Sequence, residues 1–420
     1  MRILLIHQMF LEEDDPGGSR FNEMAKVWAN EGNDITVLGG MMHYNGHEKR
    51  DEYKGKYFVN KKQGQLDVWR CHVSESYNAN FLGRLWGYFS FMFAAIWVGL
   101  FKTKGKYDVI LVTSPPLFVG VTAFILSFFK KIPYVFEVRD LWPESAIDTG
   151  VLNNKFIIKL AYWVEGFLYK NASLINVLTP AFKAHLINNK KVKEDKILFI
   201  PNAADFSLSD TLLVNFDASQ MRNEMGWQDK FIVTYVGAHG VANGLHQVLD
   251  AAELLKDTNI LFLLIGNGMT KESLIIDAKN RGIENVVFLN SVPKADVFKY
   301  ILISDMGASI LMNLPSFKTV YSNKTFDYMA CKKPILMAID GISRELVELA
   351  DAGSYVIPED PQSYNIVLRK YIESPQLLKL QGENGYNYAK KHFDRKHLAQ
   401  NYLSELKSLI SGRTDLGSMN

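Results

Sequence analysis

The chain has 420 residues, 48% of them hydrophobic and 22% charged, with 47 Lys and Arg against 45 Asp and Glu. At roughly 100 to 200 residues per domain, that length predicts two domains or three, and the hydrophobic fraction excludes a disordered or fibrous chain. A net charge of +2 lacks the concentrated basic excess of a nucleic-acid binder, so no nucleic-acid partner is expected. Cys71 and Cys331 stand far apart with no Cys/His cluster beside either, which indicates neither zinc nor a disulfide framework and fits a reducing cytoplasm.

Residues 2–6 read as a first buried strand, too short an apolar run for a signal peptide. A loop containing Pro16-Gly17-Gly18 follows. Phe21, Met24, Ala25 and Trp28 then recur at helical spacing, Gly32 stops the helix, and residues 35–38 form the next strand. Further strands are expected at 109–112, 134–138, 174–178 and 197–200, separated by helical patterns. The same rhythm restarts at residue 231: strand 231–236, a glycine turn at 237–244, a helix, strand 260–265, Gly266-Asn267-Gly268, and strands at 286–289, 306–310 and 334–338. Two successive βα series predict an α/β chain of two doubly wound, Rossmann-like domains facing a central cleft, residues 1–205 and 206–385, with closing helices over 386–412.

In such sheets ligands bind beyond the carboxyl ends of the strands, where glycine loops meet helix N-termini. Gly17 and Gly18 let backbone approach a phosphate, although a Gly-Gly pair also serves as an ordinary tight turn. Gly266, Asn267 and Gly268 offer amide donors to a diphosphate, with Lys271 one turn on. Lys324, just inside a helix start, can pair with phosphate, and Asp327 one turn later can accept two hydrogen bonds from ribose hydroxyls. Read alone, that segment is equally a solvated helix face. Neither GxGxxG nor GxxxxGK[ST] occurs, which disfavours a nicotinamide dehydrogenase or a P-loop NTPase. The run Glu12-Glu13-Asp14-Asp15 reads as a solvated loop, and no Asp-x-Asp motif stands at a strand end, so no metal is expected.

Taken together, 199-FIPNAAD-205, Gly237, Gly266-Asn267-Gly268 and 324-KTFDYMACKKP-334 resemble, in order and spacing, the retaining glycosyltransferases of family 4. Arg139-Asp140-Leu141-Trp142-Pro143-Glu144-Ser145 resembles the RDLWPES stretch of bacterial enzymes that make O-antigen, colanic-acid-type and capsular polysaccharides. The resemblance covers nearly the whole chain. It implies a GT-B fold and a donor nucleotide-sugar held by the C-terminal domain, with the final helices returning to the N-terminal domain. No cofactor is implied. Asp327 falls on the second acidic position of the family's Glu-x7-Glu motif, Thr319 on the first, and Lys324 on a phosphate-facing lysine. His239 and Asn243 stand where many members carry Arg and Lys. Arg139 replaces a family His and cannot serve as a base, which leaves Asp140. The reaction implied is retaining glycosyl transfer from a nucleoside-diphosphate sugar to a hydroxyl. A sugar-nucleotide 2-epimerase and a non-catalytic GT-B partner subunit are the competing readings.

Aromatic residues are concentrated at 85–101, LWGYFSFMFAAIWVGLF, with Arg84 before and Lys102, Lys104 and Lys106 after. As a helix the segment is about 25 Å long, at the short edge for a membrane span. Apolar all round, it belongs either in a core or against lipid. The basic stretch Lys49, Arg50, Lys54, Lys56, Lys61 and Lys62 suits anionic head groups or a mobile solvated loop. Related polysaccharide enzymes take polyprenyl-diphosphate-linked acceptors, so monotopic association with the inner face of the cell membrane is expected. Arg84, Trp86, Trp97, Trp142 and Glu144 would lie on that acceptor or membrane side.

Overall fold

Runs of aliphatic residues buried on both faces, such as 3-ILLI-6 and 260-ILFLLI-265, form the central strands of two sheets in a computed structural model. It describes residues 1–13, 15, 20–41, 49–78 and 81–417. Gly17 and Gly18 lie outside the described residues, as does the side chain of Arg84.

The chain divides into two units, Met1–Pro201 with residues from Lys396 onward, and Asn202–Arg395. In the first unit the strands are β1 (Arg2–Ile6), β2 (Asp34–Gly40), β3 (Phe58–Gln63), β4 (Leu66–Cys71), β5 (Val109–Ser114), β6 (Tyr134–Val138), β7 (Leu174–Val177) and β8 (Ile197–Phe199). Their order is β3-β4-β2-β1-β5-β6-β7-β8, parallel except for the antiparallel pair β3 and β4. The second unit has β9 (Phe231–Val236), β10 (Ile260–Ile265), β11 (Val286–Leu289), β12 (Met306–Ile310), β13 (Ile335–Ala338) and β14 (Gly353–Tyr355), in the all-parallel order β11-β10-β9-β12-β13-β14. The order reverses at β1/β5 in one sheet and at β9/β12 in the other, so ligand sites are expected beyond the carboxyl ends of those pairs.

The helix Pro375–His392 stays in the second unit throughout, because Gln381 is hydrogen-bonded to Tyr371 and Gly382 lies against the Lys332 carbonyl. Only from Lys396 does the chain join the first unit, where the Trp28 indole donates to the Ala399 carbonyl (2.7 Å) and packs edge-on against Tyr402. The division therefore falls at 201/202 and 395/396, not at 205/206 and 385/386.

Two sequence expectations fail in the first unit for one physical reason. The basic stretch is only partly a loop and not an array of free cations: Lys61 and Lys62 lie on β3 of the β3–β4 hairpin, residues 58–71, and lysines on an outermost strand are what an exposed sheet edge favours. Glu12, read as solvated, is buried against Arg70 (2.9 Å), Lys61 (3.2 Å) and the Tyr53 hydroxyl. Arg50 meets Asp15 (2.8 Å) and Lys54 meets Asp51 (2.7 Å). Glu12 and Asp15 of the acidic run are thus paired with Arg70, Lys61 and Arg50.

The aromatic segment lies in the helix Phe81–Phe101 and is two-faced. Phe91, Ala94, Ala95 and Val98 are buried, whereas Trp86, Phe93, Trp97 and Phe101 are exposed. Among the described residues no helix is long and apolar enough to cross a membrane.

Candidate active site

In the second unit, Gly237 follows β9, and Gly266 and Gly268 follow β10. Their turns pack backbone on backbone: the Gly237 amide donates to Ile265 (3.0 Å) and the His239 amide to Asn267 (2.9 Å). Gly266 has φ +152°, and a Cβ there would sit 1.9 Å from the Gly237 carbonyl oxygen; at Gly268 it would sit 2.4 Å from that of His239. Glycine is thus required by the meeting of the two turns. The amides of Gly237, His239 and Gly266 are spent inside the protein, while those of Asn267 and Gly268 donate to no acceptor among the described residues.

Lys271 is not part of a phosphate cradle. Its ammonium donates to the carbonyls of Gly266 (2.8 Å) and Leu289 (2.7 Å) and to Asn290 (2.8 Å), tying the ends of β10 and β11 together. Asn243 closes its own turn through the Gly240 amide (3.4 Å). His239 is fully buried, ringed by Tyr235 and Phe288, and neither of its ring nitrogens has a hydrogen-bond partner. Burial first, then the Lys271 charge, push its pKa down to about 4, so the ring is neutral.

Lys324 is different. It begins the helix Asn323–Ala330, its ammonium lies 4.7 Å over the Tyr235 ring, and its Cε approaches Gly237. Among the described residues it makes no ion pair within 4.0 Å. Burial lowers its pKa to about 8, against the opposing pull of Asp327 one turn along. The helix is seated over the strand-order reversal by Tyr328, whose hydroxyl accepts from the Val236 amide (3.1 Å) and donates to the Ala308 carbonyl (3.2 Å). Gly307 makes room for that ring, since a Cβ there would meet it at 2.1 Å. Thr325 adds a bond to Ser309 (2.8 Å). Thr319, at the missing acidic position, bonds the Ser316 carbonyl of its own turn (2.7 Å).

In the first unit, Arg139 and Asp140 follow β6. The Arg139 amide donates to Ser114 at the end of β5 (2.9 Å), and the Ser145 hydroxyl donates to Asp140 Oδ2 (2.8 Å). Burial raises the Asp140 pKa, with Ser145 pulling the other way. Sequence reasoning missed His7 at the end of β1. It is buried, 2.7 Å from the Thr113 hydroxyl, and held well below its ordinary pKa by burial and then by the charges of Arg139 and Arg70. Its only signal was its place, the polar residue that ends the first strand.

Arg20, two residues beyond Gly18 in sequence, is committed to a buried cluster. It pairs with the fully buried Glu137 (3.1 Å) and donates to the Ile200 (2.6 Å) and Pro201 carbonyls. Asn176 completes the cluster, donating to Glu137 (3.0 Å). Glu144 lies in a second cluster, 2.6 Å from Lys190 and 3.3 Å from His185, and Lys190 also reaches Glu165. Burial alone would raise the Glu144 pKa, but His185 and Lys190 outweigh it and bring it to about 2. Trp142 packs edge-on against Phe118 (6.3 Å), which meets Phe89 (4.7 Å), so the Phe118 ring links the Asp140 loop to the aromatic helix, whereas Trp86 and Trp97 point away from the core.

Two Rossmann-like units with these strand orders are those of the GT-B fold. Residues 17–203 match the family Glycosyl transferase 4-like domain and residues 217–388 match Glycosyl transferases group 1. The chain thus carries two glycosyltransferase domains, the first 4-like and the second of group 1. It is 24% identical over 293 residues (69% of this chain, 71% of the relative) to an Escherichia coli K12 protein named as a colanic acid biosynthesis glycosyl transferase, WcaI. It is 22% identical over 269 residues (63% and 69%) to an E. coli O-antigen chain mannosyltransferase C. In fold it matches Anabaena Alr3699/HepE, solved in complex with UDP-glucose, with a TM-score of 0.70 and 20% identity over 97% of this chain and 100% of that one.

Proposed function

We propose that the protein transfers a hexosyl or N-acetylhexosaminyl group from a nucleoside-diphosphate sugar, a UDP-sugar foremost, to a hydroxyl of a polyprenyl-diphosphate-linked saccharide in bacterial surface-polysaccharide synthesis. The anomeric configuration is retained, and the enzyme works at the cytoplasmic face of the membrane. One observation carries the donor side: Lys324, a cation resting on an aromatic ring without a carboxylate partner, shares the β9/β12 end of the sheet with the open amides of Asn267 and Gly268. A diphosphate supplies the anion that this arrangement lacks, and the charge growing on the leaving diphosphate is stabilised by donors already in place. Asp327 takes the ribose hydroxyls. Asp140 takes the proton of the acceptor hydroxyl, and the scheme needs no metal. The names of the relatives and the UDP-glucose complex of HepE support the choice of pathway and donor.

Thermal shift with UDP, GDP and ADP tests this directly. UDP is expected to raise the melting temperature of the wild-type chain, and Asp327→Ala and Lys324→Ala to abolish most of that rise. Equal shifts in all three proteins would remove the donor assignment. Nucleotide-sugar binding without transfer to any lipid-linked acceptor would favour the non-catalytic partner instead.

A further inference from the structure

The crossovers from β4 to β5, β5 to β6 and β6 to β7 all run the same way across the sheet, so their helices, Phe81–Phe101, Val119–Lys130 and Lys155–Asn171, lie side by side on one face. They touch closely. Gly99 gives way to Leu126 and Gly120 to Leu168, and Phe124 packs on Phe167 (4.6 Å). On the outer side, Trp86, Phe93, Trp97 and Phe101 follow one another at intervals of seven, four and four residues, which places them on one helix face. Phe128 and Phe129 continue this surface on the second helix; Phe156 and Trp163 do so on the third, and Phe128 and Trp163 are 70% and 66% exposed. Isolated exposed apolar residues need no explanation; large aromatics on three adjoining helices do.

The charges around the patch select its occupant. Glu165 is the sole carboxylate in these three helices, and it is buried with Lys190. Lys104, Lys106, Lys131, Lys155 and Lys159 stand exposed at the helix ends or beside the aromatics. A protein partner would meet a field of one sign. Indole and phenyl rings in a rim of lysines instead match the interface of a bilayer carrying anionic lipid, where rings enter at head-group depth and ammonium groups meet phosphates. The first of the three helices is also linked to the Asp140 loop through Phe89, Phe118 and Trp142.

We infer that this three-helix face is a docking surface for anionic lipid bilayer. The inference rests on the membrane-borne acceptor proposed above, but its test involves neither donor nor acceptor, so binding and transfer can fail separately. The full chain is mixed with phosphatidylcholine vesicles, with and without phosphatidylglycerol, and sedimented. The expected result is association with the anionic vesicles, weakened by salt and accompanied by a blue shift of tryptophan emission. The triple variant Trp97→Ser/Phe128→Ser/Trp163→Ser should partition at least roughly tenfold less, with an unchanged unfolding midpoint because all three side chains are exposed. Lys155→Gln/Lys159→Gln should lose the preference for anionic lipid. Failure of the wild type to sediment, or equal binding by the triple variant, overturns the inference. So does a dimer in sedimentation equilibrium that the triple variant dissociates while vesicle binding is unaffected, since the face would then belong to a second copy.

Discussion

The two units differ in what they leave unspent. In the first unit nearly every notable charge is committed: Arg20 to Glu137, Arg70 to Glu12, Lys190 to Glu144 and Glu165. Buried pairs of this kind cost about as much desolvation as they return in attraction, and what they fix is geometry. In the second unit the scaffold is backbone, two glycine turns locked into each other, and the cation above them rests only on an aromatic ring. Burial acts on the two chemical groups in the same sense, toward neutrality: it raises the Asp140 carboxyl and lowers the Lys324 ammonium to about 8. A raised carboxylate is a stronger base, and an ammonium already short of solvation gains most from an incoming phosphate. The partners of a charge, more than its presence, thus separate the groups proposed for chemistry from those that hold the architecture.

The sharpest way to break this contrast is Asp140→Asn. Turnover should fall roughly 10²- to 10⁴-fold, the usual worth of a positioned base, while nucleotide affinity is unchanged. The wild-type rate should fall as pH drops through a pKa above the ordinary carboxylate value of 3.8, because the base is then protonated. An equal loss of nucleotide binding would make Asp140 structural. Next in size is Gly266→Ala, which pushes a methyl group into the Gly237 carbonyl at a φ that alanine resists. It should destabilise the second unit by about 3 kcal/mol, read as a shift of the denaturant midpoint. Gly166→Ala is its control. It sits mid-helix with nothing within 4 Å of its Cβ, and a gain of about 0.5–1 kcal/mol is expected. Lys324→Ala should weaken UDP binding by about 1–3 kcal/mol. In the wild type, affinity should fall as pH rises through about 8 and the ammonium is lost, a slope that calorimetry should find missing in the variant.

The fold, and the placing of Lys324 and Asp327 on one helix, were largely legible in the sequence because their signals are local. Apolar strands ending in glycine, and a lysine and aspartate one turn apart on a helix, can be read without knowing what lies opposite. What escaped depended on distant partners. Glu12 and the lysines of β3 are 49 residues apart at the Glu12–Lys61 contact, and neither run by itself announces the other. Arg20 sits in a glycine-loop context that suggests phosphate, yet its carboxylate partner is 117 residues away. Tyr328, which seats the helix Asn323–Ala330, reads as one more core aromatic until Gly307 is found beneath it. The aromatic segment misled in a subtler way: uniform apolarity hides which side is covered, and only the neighbouring helices divide it into a core face and an open one.

His239 gives the smallest expected effect and tests whether position alone makes a donor residue. It stands beside both glycine turns, as the resemblance implied, but its ring is buried among aromatics with neither nitrogen bonded. With a pKa of about 4 it carries no charge near neutrality. His239→Leu, of similar volume, should therefore change stability at pH 7 by no more than about 1 kcal/mol, and UDP affinity by about two- to threefold, a few tenths of a kcal/mol. The acid side behaves differently. The folded pKa lies below the unfolded value of 6.5, so the unfolded chain binds the extra proton first. The stability contribution is complete above pH 6.5 and is lost as pH falls through about 4. His239→Leu should lack that loss and overtake the wild type in unfolding midpoint near pH 4. A more than tenfold fall in UDP affinity at pH 7, with the midpoint unmoved, would instead show the neutral ring donating to the nucleotide, and would make the second unit's site more than backbone and one lysine.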